Sequence, residues 1–259
     1  MLTNEAKTLE LIREHVNVVQ LLGTCQHQGT FYEVQEYLPN GTLHRFLRES
    51  SRNLMNAKET ILDIAIGIAT GMEFISRQQV VHRNLSTKNI LMGHNMAVKI
   101  SGFGYATRPG VPPIQNPVSV LTTWRPKSVE SLTYGIHTKE SDIWSYGVIL
   151  WEITSPGRTP YNAHPFHKMK QLINQGYRLP KPKHWHSSMY ELMRQCWLQE
   201  PTERPPFHNL TMALKGIRKK KQFYPNITME SNLTDSSLDL EDFDIVASSE
   251  PEDTGTQQV

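Results

Sequence analysis

Residues 58–76, "KETILDIAIGIATGMEFIS", place Ile61, Ile64, Ala65, Ile68, Ala69, Met72 and Ile75 three and four positions apart. That spacing draws one apolar stripe and predicts an amphipathic helix with the stripe on the core. Residues 141–154, "SDIWSYGVILWEIT", are apolar on nearly every face. A helix with no polar side has to be surrounded by protein, so this one is the expected buried axis of the domain. Helical spacing also runs through 4–14, where Leu9 and Ile12 carry it, and through 165–175, 187–198 and 207–218.

Two β-branched and aromatic runs, "VNVVQLLGTC" and "TFYEVQEYL", flank the turn sequence "QHQG" and predict a pair of strands. "PNG" at 39–41 stops the second, because Pro has no N–H to give a ladder and Asn-Gly favours a turn. A short helix is expected at Thr42–Arg48, and residues 80–104 read as short strands and loops. From 105 to 127 the chain is Pro-rich without a period, which predicts a long surface loop. No internal repeat is found.

The 259 residues, 38% hydrophobic and 20% charged, fit one ordinary domain with a tail or two small ones. The net charge of +2 hides a segregation. From Gln222 to Val259 there is no Lys or Arg, while Glu230, Asp235, Asp239, Glu241, Asp242, Asp244, Glu250, Glu252 and Asp253 all fall there. That stretch, Ser/Thr-rich with few large side chains, is expected to be disordered. The body before it is clearly basic, densest at Arg218–Lys221, which reads as the solvated end of a last helix rather than a nucleic-acid surface.

Cys25 and Cys196 lie far apart in apolar segments, which excludes a disulfide framework and marks both as expected core residues. No run of eighteen apolar residues occurs, so no transmembrane segment is expected in this chain. The start, "MLTNEAKTLE", lacks the layout of a secretion signal, and the expected location is cytoplasmic. His184 with His186, and His164 with His167, lack a companion ligand pair and read as solvated loop histidines.

Residues 80–104, "VVHRNLSTKNILMGHNMAVKISGFG", change the picture. "HRNLSTKN", "KISGFG", "SVE", "SDIWSYGV" and "CW…RP" resemble, in order and spacing, the motifs of a protein kinase domain. "VVQLLGTC", "EYLPNGTLHRFL", "ILWEITSPGRTPY" and "LMRQCWLQEPTERPPF" look like a receptor-type tyrosine kinase, near the fibroblast growth factor receptor group. The resemblance covers residues 4–217 and implies a two-lobed α+β fold. Residues 1–38 would be a truncated N-lobe of one helix and two strands. Residues 39–221 would be a complete, mainly helical C-lobe, and 222–259 the acidic tail.

Phosphoryl transfer is mostly positioning and charge stabilisation around ATP and Mg²⁺. The resemblance puts Asn84 at the place of the H-R-D-x-x-x-x-N carboxylate that accepts the substrate hydroxyl proton. An amide can orient a hydroxyl but cannot take its proton at neutral pH, and losing a general base typically costs about 10²–10⁴ in rate. Gly102 stands where the D-F-G carboxylate would ligate the metal. Asn89 matches the second metal position, with Lys88 beside it as a further candidate of the catalytic loop. Glu5 matches the helix glutamate whose partner lysine, with the Gly-rich loop over the phosphates, would precede this helix. Gln35, on the same strand face as Glu33, falls at the gate of the nucleotide pocket, with Glu36 and Tyr37 at the hinge.

The framework positions, in contrast, are filled. Leu9, Leu21, His82 and Phe103 match the apolar column of the family. Asp142 matches the aspartate that holds the catalytic-loop backbone, and Glu130 and Arg204 its buried ion pair. Between Gly104 and Glu130 the lone tyrosine is Tyr105, and Trp124 lies more than four residues before Glu130. The expectation is therefore a pseudokinase: a scaffold, or an allosteric or competitive modulator of an active tyrosine kinase, with no cofactor. The alternatives are a weak or conditional ATP- and Mg²⁺-dependent tyrosine kinase, and an incomplete fragment of a receptor kinase. Protein partners are expected, including phosphotyrosine-reading adaptors at Tyr224-Pro-Asn226, and no nucleic acid.

Overall fold

The computed structural model of the chain describes residues 3–50, 57–108, 125, 127–162 and 165–219. Helix α1, Asn4–Ile12, begins where the Thr3 hydroxyl accepts from the Ala6 N–H at 3.2 Å, an ordinary N-cap. Strands β1 (Leu21–His27) and β2 (Thr30–Gln35) pair antiparallel in the register Cys25↔Tyr32 and His27↔Thr30. Gln28 and Gly29, at φ 48° and 79°, close the hairpin with the two positive φ values that match strand twist.

Both strands are shorter than the sequence pattern predicts. Val18 and Val19 are buried in the lower body, where Val18 bridges to Ile100 and the Val19 N–H donates to the Ile100 carbonyl at 2.9 Å. They are thereby withdrawn from β1. Leu22, Phe31, Tyr32 and Val34 are exposed, because the two-stranded sheet gains cover only where α1 packs on it. The expectation that Cys25 is a core residue is corrected for the same reason: it is exposed on β1, whereas Cys196 is buried.

The lower body follows the predicted helices closely. Thr42 caps α2 (Leu43–Glu49). Helix α3 (Lys58–Arg77) buries all seven residues of the predicted stripe. It lies close against β4 (Val98–Ile100), which pairs antiparallel with β3 (Ile90–Met92). A Cβ on Gly67 would lie 2.5 Å from Val98 Cγ2, and one on Gly71 2.7 Å from Ile100 Cδ1, so the glycines permit that approach.

Helix α4 (Val129–Tyr134) escaped the pattern because six residues are too few to show a period. In α5 (Lys139–Thr154) every residue from Ser141 to Thr154 is buried, as expected of a central axis. Helices α6 (Phe166–Asn174), α7 (Ser187–Cys196) and α8 (Phe207–Lys219) complete the body, α7 packing on α5 and α8 on α3. The result is α+β, a small sheet-bearing upper part on a mainly helical lower one. The expected loop at 105–127 lies mostly outside the described residues, as do the expected tail and Tyr224. Among the described residues no helix is long and apolar enough to cross a membrane.

Candidate functional site

The site grows out of one buried carboxylate. Asp142, in the first turn of α5, accepts from the His82 N–H at 2.7 Å and from the Arg83 N–H at 3.0 Å. Burial pushes its pKa up to about 7, against the pull of those two donors and of the Lys127 and Arg83 charges. The grip holds Arg83 at φ 64°, a conformation a non-glycine residue adopts only when its surroundings over-determine it.

The His82 imidazole is fully buried and its pKa falls to about 4, so it is neutral near pH 7. Its Nε2 lies 2.9 Å from the Ser101 carbonyl and its Nδ1 accepts from the Asn84 N–H at 3.2 Å. Those partners fix the tautomer: Nε2 carries the proton. Below it the Phe103 ring sits 4.8 Å away, centroid to centroid. Leu9 is buried in the same core and Leu21 packs against it, so the four column residues are gathered by the fold.

Around this frame Asn84, Asn89 and Gly102 converge. The Asn89 Nδ2 donates to the Asn84 carbonyl at 2.6 Å, and the Asn89 backbone carbonyl accepts from Ser101 N–H and Oγ. Gly102 is left-handed at φ 79°, and a Cβ there would lie 2.7 Å from both Asn89 Cγ and Oδ1. The Asn89 carboxamide therefore fills the space in which a side chain at position 102 would begin. Lys88 is not part of this group: it is exposed, and its charge acts on His44 and Glu152.

From above, α1 holds the same segment. Glu5 Oε1 accepts from the Gly102 and Phe103 N–H groups, each at 3.2 Å, and from Gln35 Nε2 at 3.5 Å. Asn4 Nδ2 reaches the carbonyls of Gly104 at 3.0 Å and Ala106 at 2.9 Å, while its Oδ1 accepts from Arg108. Glu33 faces the same network, and burial and then the Glu5 charge raise its pKa. Glu5 and Gln35 thus meet above the Gly102–Phe103 backbone, a contact that the strand pattern does not announce. Of the hinge positions, Glu36 is turned to the Lys99 ammonium (2.6 Å) and the Gln20 N–H (2.7 Å). Tyr37 is 86% exposed, on the rim of a cavity of about 520 Å³ lined also by Leu38, Pro39, Phe46 and Met96.

Two further elements anchor the floor. Arg204 forks onto Glu130 with Nη1–Oε1 at 2.7 Å and Nη2–Oε2 at 2.9 Å, and spends its other donors on the Glu140 and Leu198 carbonyls. Burial works against the Glu130 charge, yet the Arg204 bonds win and hold its pKa below the ordinary value. Lys127, buried three residues before Glu130, donates to the Arg83 carbonyl at 2.9 Å.

Sequence reasoning missed Lys127 and Asn4. Lys127 lies at the end of the stretch expected to be a surface loop, where no hydrophobic period marks it. Asn4 has no local signal, since its partners are about a hundred residues away. Among the described residues no cluster of three or more His, Cys, Asp or Glu could hold a metal. There His167 is exposed and His186 caps α7 by accepting from the Ser188 N–H.

A family model described as protein tyrosine and serine/threonine kinase matches residues 1–214. The chain belongs to that family. This kinase domain is 37% identical over 179 residues to the Danio rerio tyrosine-protein kinase receptor Tie-1, covering 69% of the chain and 96% of that protein. It is 32% identical over 249 residues to the Danio rerio angiopoietin-1 receptor, covering 91% of the chain and 22% of that receptor. It is 34% identical over 233 residues to the Mus musculus tyrosine-protein kinase ABL2, covering 90% of the chain and 20% of that kinase. The chain thus spans about a fifth of the length of the two larger relatives.

Proposed function

We propose that this tyrosine-kinase-like domain has lost, or nearly lost, phosphoryl transfer. It then serves tyrosine-kinase signalling as a scaffold, or as an allosteric or competitive modulator. One observation carries the reading: the Asn89 carboxamide, bonded to the Asn84 carbonyl, fills the space beside Gly102. Mg²⁺ takes hard oxygen ligands, mostly carboxylates and phosphates. The residues here fit it poorly, since Gly102 offers no ligand and Asn84 and Asn89 can offer only neutral amide oxygens in place of carboxylates. Asn84 can orient a hydroxyl without accepting its proton. We therefore assign no resident cofactor.

In this reading residues 1–38 form a reduced upper lobe, 39–221 the lower lobe and 222–259 a tail, in a cytoplasmic protein whose partners are proteins. Those include an active tyrosine kinase and adaptors reading Tyr224. The segments quoted above support a place near the fibroblast growth factor receptor group. A second reading, a weak or conditional ATP-dependent tyrosine kinase, draws support from the kept frame: the His82–Phe103 stack and Glu5 directed at the Gly102–Phe103 backbone.

Thermal denaturation with ATP, with and without Mg²⁺, beside a phosphotransfer assay on a tyrosine peptide, separates the two. The expected result is no metal-dependent stabilisation and no transfer above that of Asn89→Ala. Metal-dependent stabilisation together with transfer that Asn89→Ala abolishes would overturn the proposal.

A further inference from the structure

Away from this site, the end of α5 and the segment leading into α7 enclose a small concavity of about 100 Å³. Its floor is Trp151, Pro180 and Pro182, and its rim is Arg158, Lys181, Lys183 and His184. No carboxylate lines it, and none of the four rim residues forms an ion pair among the described residues. Elsewhere on this surface exposed cations do find acids, as Arg45 finds Glu49 and Arg218 finds Asp63. Like charges gathered round a concavity without a counter-charge repel one another, and an arriving anion relieves that repulsion.

The backbone that presents these residues is held from inside. The Trp151 indole N–H donates to the Pro180 carbonyl at 2.8 Å, and the Tyr190 hydroxyl donates to the Leu179 carbonyl at 2.9 Å. The Trp185 N–H donates to the Pro182 carbonyl, and the Arg158 N–H to the Ser155 carbonyl at 3.0 Å. Leu179, Pro182 and Trp185 are buried. The backbone that carries the rim is thus fixed before any ligand arrives, which lowers that part of the ordering cost of binding.

We propose that this pocket docks a phosphorylated segment of a partner protein. A phosphoryl group is nearly dianionic at neutral pH and offers three acceptor oxygens. The Arg158 fork and the Lys181 and Lys183 ammonium groups supply the matching donors. A carboxylate brings half the charge. A membrane surface matches a broad basic face better than cations converging on one hollow. The proposal stands whether or not the Asn84 site transfers phosphate.

The test uses the full chain and an array of phosphotyrosine and phosphoserine peptides with their unphosphorylated twins. Fluorescence anisotropy near ~0.15 M salt is the readout. Some phosphopeptides are expected to bind at least about tenfold more tightly than their twins, the worth of one or two charge-assisted hydrogen bonds. The double variant Arg158→Ala/Lys183→Ala is expected to lose at least that factor at an unchanged thermal midpoint, since both side chains are exposed. The control Lys215→Ala, an exposed cation on α8, is expected to bind like the parent. Three results overturn the proposal: equal binding of twins and phosphopeptides, a double variant that binds like the parent, or binding confined to phosphatidylserine vesicles.

Discussion

The floor and the mouth of the catalytic loop, a few residues apart, have opposite contents. At the floor every charge faces protein: Asp142 grips two backbone N–H groups, Lys127 a carbonyl, and Arg204 a carboxylate and two carbonyls. At the mouth, where the family's charges face substrate and metal, stand the carboxamides of Asn84 and Asn89 and the bare Gly102. The difference separates two uses of a charge. One that binds backbone is tied to folding, because leaving its partner unpaired in the interior is costly. One that faces outward is tied to the reaction alone, and its loss leaves the fold intact.

The sharpest way to break this comparison is to move the damage to the floor. Arg204→Met is expected to cost about 3–5 kcal/mol, because it leaves Glu130 buried without its partner. Urea denaturation reads the loss, and the double variant Glu130→Leu/Arg204→Met is expected to recover part of it. A single variant within 1 kcal/mol of the parent would show that the floor pair is no more tied to folding than the mouth.

Titration of the interior gives the next largest effect. Burial pushes the Glu152 carboxyl up to about 7, like Asp142, and drops His82 and His137 to about 4. The raised carboxylates contribute stability that is full below their ordinary range near 4 and lost as pH rises through 7. The depressed histidines contribute stability present above about 6.5 and lost as pH falls through 4. The two pairs therefore oppose each other across about pH 4–7. Glu152→Gln, which keeps an acceptor for the Thr87 hydroxyl at 3.0 Å, removes one side. Its stability relative to the parent is expected to rise by about 3 kcal/mol from pH 4 to pH 8. Parallel urea profiles for the two proteins would contradict that sign.

At the mouth, Gly102→Asp is expected to cost about 1–3 kcal/mol, since its Cβ displaces the Asn89 carboxamide. Asp tolerates the left-handed backbone better than most residues, so the steric term dominates. Restoring that carboxylate alone is expected to leave ATP stabilisation insensitive to Mg²⁺, and a metal-dependent thermal shift would contradict this. The smallest effect is expected at the partly exposed pair between β4 and the end of β2: Lys99→Met, which removes the cation beside Glu36, costs under about 1 kcal/mol by urea denaturation.

Much of this is legible in the amino-acid sequence. Period alone gave α3 and α5, because burying one whole face or all faces leaves a dense trace in the residues. Motif spacing brought Asn84, Asn89 and Gly102 to one loop system, and Asp142, Glu130 and Arg204 to its floor. Contacts between distant segments were not legible: nothing local tells Asn4 to meet Ala106, or Val18 to leave its strand for Ile100. Cys25 misled because its neighbours are apolar, while burial depends on which layer lies above the strand. Lys88 misled because adjacency along a short 3₁₀ turn, Thr87–Asn89, points neighbouring side chains apart.

The grip of Asn4 and Glu5 on residues 102–106 has a consequence for how α1 moves. At roughly 1 kcal/mol net per hydrogen bond, three or four such bonds bias the helix inward by on the order of 3 kcal/mol. A swung-out form is then held below about one molecule in a hundred. Helix and loop behave as a lever and its load on one shaft. A partner that seizes the exposed side of α1 at Leu11 therefore also takes hold of the segment leading out of the site, and pulling on either end is felt at the other.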